Sequence, residues 1–250
     1  MRRAQYAVRG ELVLRAGEIK ASMADGATMP FDKIVECNIG NPQALQQKPL
    51  SFSRQVLALM VMTSLADAPG ASSLFAPDAI SRAREYLDAI PSGLGAYSDS
   101  QGFAIVREQV AEFIHERDGV PASPDDIFLT DGASKGVGYL LSLVLRGRAD
   151  GALVPIPQYP LYSATLALQE AQMIGYELCE EDGWAMPVSE LEAKLAQATS
   201  EGTEVRALVV INPGNPTGNS LPRENMEAVI HLCAKHNLVL MADEVYQVLT

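Results

Sequence analysis

From residue 127 onward, short apolar runs alternate with stretches in which apolar residues recur every three or four positions. The runs at 127–130, 151–156, 172–177, 205–211 and 238–242 predict strands. The stretches at 134–145, 161–170, 189–198 and 222–236 predict the helices between them. Strand, crossover helix and strand in repetition predict an α/β fold with a mostly parallel, doubly wound sheet. Before residue 127 the spacing is helical, over 11–24, 51–65, 77–90 and 103–117, with Asp78 close to a helix start. A Gly/Ser-rich loop covers 91–102, and the Asn/Gly/Pro-rich turn at 37–43 leaves backbone amides available near Gly40. There is no internal repeat and no low-complexity tract. The chain ends at Thr250, seven residues past Asp243, where a strand-end loop is expected to turn into a helix. A sheet incomplete at its C-terminal side, and hence a fragment, is therefore expected.

In open α/β sheets, ligands bind outside the carboxyl ends of the strands, and several polar groups are predicted at that edge. The 205–211 run leads into Asn212-Pro-Gly-Asn-Pro-Thr-Gly218, and the 238–242 run ends on Asp243, with Tyr246 three residues later. A carboxylate at a strand end commonly caps a turn. Its sharper use is to pair with a protonated ring nitrogen, which a pyridinium electron sink requires. Tyr246 and Asn215 would then suit a phenolate-like oxygen on the same ring. The segment Thr130-Asp-Gly-Ala-Ser-Lys-Gly136 joins a predicted strand to a helix start, so its small residues, its free amides and the Ser134 hydroxyl suit a phosphate. Ordinary capping explains such a turn equally well, and neither a P-loop nor a dinucleotide spacing is met. In Pro155-Ile-Pro-Gln-Tyr-Pro-Leu-Tyr162, Tyr159 sits where its ring would either stack on a planar cofactor or pack into the core.

Composition narrows the function classes. A chain of 250 residues with 48% apolar content can bury a sizeable core. Its 19 basic and 31 acidic residues give a formal charge of -12, which repels nucleic acid and anionic membranes. Cys37, Cys179 and Cys233 are odd in number and far apart, so reduced core thiols are expected rather than disulfides or a zinc site. His115, His231 and His236 fall on predicted surface helices without metal-ligand spacing, so no metal is expected. No apolar stretch is long enough to span a bilayer. The N-terminal residues are basic but lack a signal-peptide core, and a cytoplasmic location is the expectation.

Taken in order, several blocks resemble the fold-type I, pyridoxal-phosphate-dependent aminotransferases, and among them the alanine aminotransferase family. The general signals are the 212–218 block and Asp243-Glu-Val-Tyr246. Those resembling alanine aminotransferases in particular are Gln5-Tyr-Ala-Val-Arg-Gly10, Asn38-Ile-Gly-Asn-Pro-Gln43 with Gln47-Lys-Pro49, Tyr97-Ser-Asp-Ser-Gln-Gly102, Leu129-Thr-Asp-Gly-Ala-Ser134 and Pro157-Gln-Tyr-Pro-Leu-Tyr162. The resemblance covers the N-terminal half of such enzymes. It implies an N-terminal arm and substrate-loop segment over 1–50 and part of the cofactor-binding large domain over 51–250. It implies pyridoxal 5'-phosphate as cofactor, with Ala133 and Ser134 at its phosphate, Tyr159 stacked on its ring, Asn215 and Tyr246 at its 3-oxygen and Asp243 at its ring nitrogen. Gly40 resembles the glycine whose backbone faces the substrate carboxylate, Asn215 is implied to bind substrate as well, and Tyr97 resembles a tyrosine that reaches the neighbouring cofactor across a dimer interface.

The implied reaction converts L-alanine and 2-oxoglutarate to pyruvate and L-glutamate in a homodimer, with no nucleic-acid or membrane partner. Aromatic or kynurenine aminotransferases, and a truncated, non-catalytic dimerising protein, are the alternatives. The Schiff-base lysine is expected beyond Thr250, since no lysine follows Lys235, and Lys135 belongs to the phosphate-loop region instead. Residues 1–250 alone are therefore expected to turn over little.

Overall fold

The computed structural model describes residue 4, residues 10–37 and residues 39–247. The sequence block at 5–9 and Asn38 lie outside the described residues. The chain divides into two compact units, one comprising Met1–Ile39 with Asp131–Thr250, the other Gly40–Thr130.

The first unit begins with helix α1 (Glu11–Ala24), none of whose residues is buried. The second contains α2 (Ser51–Val61), α3 (Ala71–Leu74), α4 (Pro77–Ala89) and α5 (Ala104–Asp118), with a small core chiefly between α2 and α4. Val56, Leu59 and Met60 of α2 are buried with Ala79 and Ala83 of α4 and with Ile90. The i,i+4 alanines leave α4 a narrow face on which α2 can lie close. Pro77 occupies the first turn of α4, where a missing N–H costs nothing.

The first unit resumes with α6 (Ala133–Val144), β1 (Asp150–Ile156), α7 (Leu161–Leu168), β2 (Gln172–Glu177), α8 (Val188–Ser200), β3 (Glu204–Ile211), α9 (Arg223–His236) and β4 (Val239–Asp243). The strands form one sheet in the order β2-β1-β3-β4, every pair parallel. Side chains alternate across it with the period of two that strands impose. Leu153, Leu208 and Val210 are buried with Leu191 and Leu195 of α8 and with Val229 and Leu232 of α9. Ala152, Val154, Ala207, Val209 and Met241 are buried with Leu141 of α6 and with Tyr162 and Leu166 of α7. The sheet thus has two cores and is covered on both faces, which is the doubly wound α/β arrangement the alternation predicts. Each fully buried leucine contributes on the order of 2 kcal/mol.

Two expectations need correction. Residues 127–130 form no strand: Phe128 is 66% exposed, and backbone bonds there run from the Ile127 N–H to the Pro124 carbonyl at 3.3 Å and from the Leu129 N–H to the Gln101 carbonyl at 2.8 Å. The apolar run is present, but no strand pairs with it among the described residues. Core thiols describe Cys233 alone, since Cys37 is exposed and Cys179 half-buried, although all three are free. The histidines lie on exposed positions as expected. No helix among the described residues is long and apolar enough to cross a membrane.

Candidate functional site

The polar residues converge where β3 and β4 end. Ile211 pairs with Asp243 in register, and the Asn212 N–H donates to the Asp243 carbonyl at 2.9 Å, so the 212–218 turn leaves the sheet level with the end of β4. The turn is closed from within. The Leu221 N–H donates to Asn212 Oδ1 at 2.9 Å, Gly214 N–H to the Asn219 carbonyl at 2.8 Å and Gly218 N–H to the Gly214 carbonyl at 2.9 Å. Asn219 Nδ2 ties it to the Trp184 carbonyl at 3.1 Å. Two of its glycines are structurally required: a Cβ on residue 214 would overlap Thr217 Oγ1 and Asn219 Oδ1, and Gly218 has φ +72.

Held this way, the turn places Asn215 Nδ2 3.2 Å from the Tyr246 hydroxyl, to which it donates. The amide keeps a second N–H and the phenol keeps its own proton, so the pair has two donors left for one electron-rich oxygen. Asp243 lies between the turn and α7. Its Oδ1 accepts from the Val245 N–H at 3.2 Å and its Oδ2 from the Tyr162 hydroxyl at 2.7 Å. Burial first, then the bond to Asp243, raises the pKa of the Tyr162 phenol well above its usual range, so it remains a neutral donor. No cation pairs with Asp243 among the described residues.

Ala133 and Ser134 open α6 and are exposed. Their first-turn amides make no backbone hydrogen bond among the described residues. Gly132, at φ +87, precedes the helix and offers no side-chain cap. An uncapped, exposed N-terminus of a twelve-residue helix is suited to an anion. The exposed Lys135 follows, its N–H directed to the Gly132 carbonyl at 3.1 Å. Tyr159, half-buried, lies on the β1–α7 connection three residues before Tyr162. Beside it, Gln158 Oε1 is buried without a partner. A cavity of about 10 Å³ adjoins the turn, lined in part by Pro157, Trp184 and Asn215. It has room for one water.

Gly40 and Tyr97 belong to the other compact unit. Gly40 is exposed, two residues before a short 3-10 turn, Pro42–Leu45, that Asn41 caps. Tyr97 is fully exposed and lines a cleft of about 380 Å³ with Ile90, Asp99, Phe103 and Glu108. The structure therefore joins Asn215 to Tyr246 and sets Asp243 beside their turn, while Ala133 and Ser134 share no hydrogen bond with them. Tyr162 was assigned no role from sequence; the available signal is its i,i+3 spacing from Tyr159 at a helix start.

Residues 67–250 match the family model described as aminotransferase class I and II. A probable mitochondrial alanine aminotransferase of Dictyostelium discoideum is 52% identical over 99% of this chain and 47% of its own length. A glutamate–glyoxylate aminotransferase of Arabidopsis thaliana is 52% identical over 99% of this chain and 50% of its own. Among solved structures, an alanine aminotransferase of Pyrococcus furiosus superposes with a TM-score of 0.72 at 23% identity, over 97% of this chain and 50% of that one, which shows the fold-type I architecture. The chain spans about half the length of the curated relatives it matches. The expectation of a cytoplasmic location is overturned, because the Dictyostelium relative and further alanine aminotransferase relatives are named mitochondrial.

Proposed function

The chain belongs to the class I and II aminotransferases, and from that premise we propose that the whole protein transfers the amino group of L-alanine to 2-oxoglutarate, giving pyruvate and L-glutamate. Enzymes of this class and fold depend on pyridoxal phosphate. When bound, that group supplies an electron sink that makes the Cα–H of an amino acid acidic.

The donor set fits the group. Asp243, neutralised by no cation among the described residues, accepts from a protonated ring nitrogen. Asn215 and Tyr246, already 3.2 Å apart, donate to the ring oxygen. The Ala133 and Ser134 amides, with the Ser134 hydroxyl, receive the phosphate at the start of α6, and Tyr159 stacks on the ring. Gly40 presents backbone to the substrate carboxylate, and Asn215 also serves the substrate. Tyr97 reaches a neighbouring subunit of a homodimer, a role that its full exposure supports. In this reading residues 1–50 supply the arm and substrate-loop segment, and 51–250 belong to the cofactor-binding domain. The observation that carries the proposal is the Asn215–Tyr246 pair, with a carboxylate at the end of β4 that pairs with no cation among the described residues.

A second reading, with glutamate as donor and glyoxylate as acceptor, is favoured by the Arabidopsis relative's name and its 52% identity. Assaying the whole protein, with pyridoxal phosphate supplied, on alanine plus 2-oxoglutarate and on glutamate plus glyoxylate decides between them. The faster pair by kcat/KM names the activity, and amino transfer with neither removes the proposal.

A further inference from the structure

Tyr162 is the second residue of α7, and its ring is 1% exposed, in the cluster that contains Ala152, Val154, Ala207, Val209 and Met241. A phenylalanine would fill that space, but a buried phenol must find a partner for its hydroxyl. Here the partner is Asp243 Oδ2, 2.7 Å away and 81 residues along the chain. The other oxygen is held only locally, by the amide two residues on. Together the two bonds approach the carboxylate from different elements, one from α7 and one from the turn after β4, and so oppose its rotation. An ionised carboxylate has about four acceptor positions, so two remain open. Because both bound donors are neutral, neither cancels the charge.

We propose that Tyr162 is a positioning residue: its hydroxyl orients the Asp243 carboxylate so that the remaining lone pairs meet a cationic N–H, the protonated ring nitrogen of the cofactor. The inference rests on the reading of Asp243 given above. A purely structural Tyr162 would tie α7 to β4 and affect every ligand alike, whereas a positioning residue acts only on ligands that carry the ring nitrogen.

Two probes separate these roles in the 250-residue chain: pyridoxamine phosphate, which needs no lysine to bind, and its analogue with C–H in place of the ring nitrogen. The readout is the ratio of their dissociation constants by calorimetry. In Tyr162→Phe the preference for the nitrogen-bearing probe should fall about tenfold, the scale of a lost hydrogen bond to a charged group, while the analogue's own affinity stays within about twofold. An unchanged ratio in Tyr162→Phe, with Asp243→Asn abolishing the preference, overturns the role of Tyr162 and leaves the Asp243 reading standing. No preference in the wild-type chain, or no binding by it, overturns the Asp243 reading and Tyr162 with it. Should Tyr162→Phe fail to fold by circular dichroism, Tyr162→His carries the test. Its imidazole is a neutral donor above about pH 6.5 and a competing cation below it, so the ratio relative to wild type should fall on acidification, and a flat profile overturns the proposal.

Discussion

Two carboxylates stand at opposite ends of the same sheet, and the protein answers their charges differently. Asp150, the first residue of β1, is fully buried. It accepts from Arg146 Nε at 2.9 Å, from Arg146 Nη2 at 2.7 Å and from the Arg146 backbone N–H at 2.8 Å. Arg206 stands 3.7 Å away, and Glu204 joins both arginines. The hydrogen bonds of Arg146, outweighing burial, hold the Asp150 carboxyl well below the usual carboxylate range. Asp243, the last residue of β4, has a phenol and an amide instead. A charge neutralised by the protein's own arginines stabilises the fold and offers a ligand little. A charge held only by neutral donors remains available to an arriving cation.

The largest expected effect is on stability, at the arginine-rich end. Asp150→Ala should lower the unfolding free energy by about 2–3 kcal/mol, discounted because Arg146 is 64% exposed and can be resolvated. In urea titrations the midpoint moves, while pyridoxamine phosphate affinity of the folded protein stays within about twofold. Asp243→Ala should weaken affinity for pyridoxamine phosphate about fiftyfold, with a stability loss of about 1–2 kcal/mol from the buried Tyr162 hydroxyl it leaves unpaired. If Asp243→Ala unfolds the protein and leaves affinity alone, the two ends do not differ in the way proposed.

Acid should separate the same two ends with a smaller effect. A carboxyl whose folded pKa lies below its unfolded value contributes stability above the unfolded value, 3.8 for an ordinary aspartate, and that contribution is lost as pH falls toward the folded pKa. Between about pH 5 and pH 2 the unfolding free energy should therefore decline. In Asp150→Asn the decline should be shallower by the Asp150 share. Equal slopes in the two proteins would show that the arginine cluster carries no pH-linked stability.

Much of this organisation is legible in the chain, for a physical reason. The apolar runs at 151–156 and 205–211 differ from β1 and β3 by no more than a residue at either end, because inner strands buried between two helical layers are apolar at most positions; the run at 172–177 coincides with β2, an edge strand in which only Tyr176 is buried. The pairing of Tyr162 with Asp243 is not legible, since 81 residues of chain separate them and no local spacing encodes a contact made through the fold. The run at 127–130 fails from the opposite cause: an apolar segment is readable in sequence, but a strand needs a neighbour, and none is present among the described residues. Helix α3 has four residues, too few to show a period. For the candidate site, the sequence names polar residues at strand ends, and the structure adds which of them share hydrogen bonds.

The smallest effect is expected at the start of α6, and its size follows from what that end of the site lacks. Asn215, Tyr246 and Asp243 are braced by bonds that exist without a ligand, so removing one of them disturbs an organised group. Ala133 and Ser134 are exposed and make no such bonds, and most of what they offer a phosphate is backbone, which no side-chain substitution removes. Ser134→Ala deletes a single hydroxyl beside amides that remain, so affinity for pyridoxamine phosphate should fall only about threefold. Affinity for pyridoxamine, which has no phosphate, should not change. A loss shared by both ligands would place Ser134 away from the phosphate, and a much larger loss for the phosphate ester would mean that the hydroxyl, rather than the helix N-terminus, dominates that end of the site.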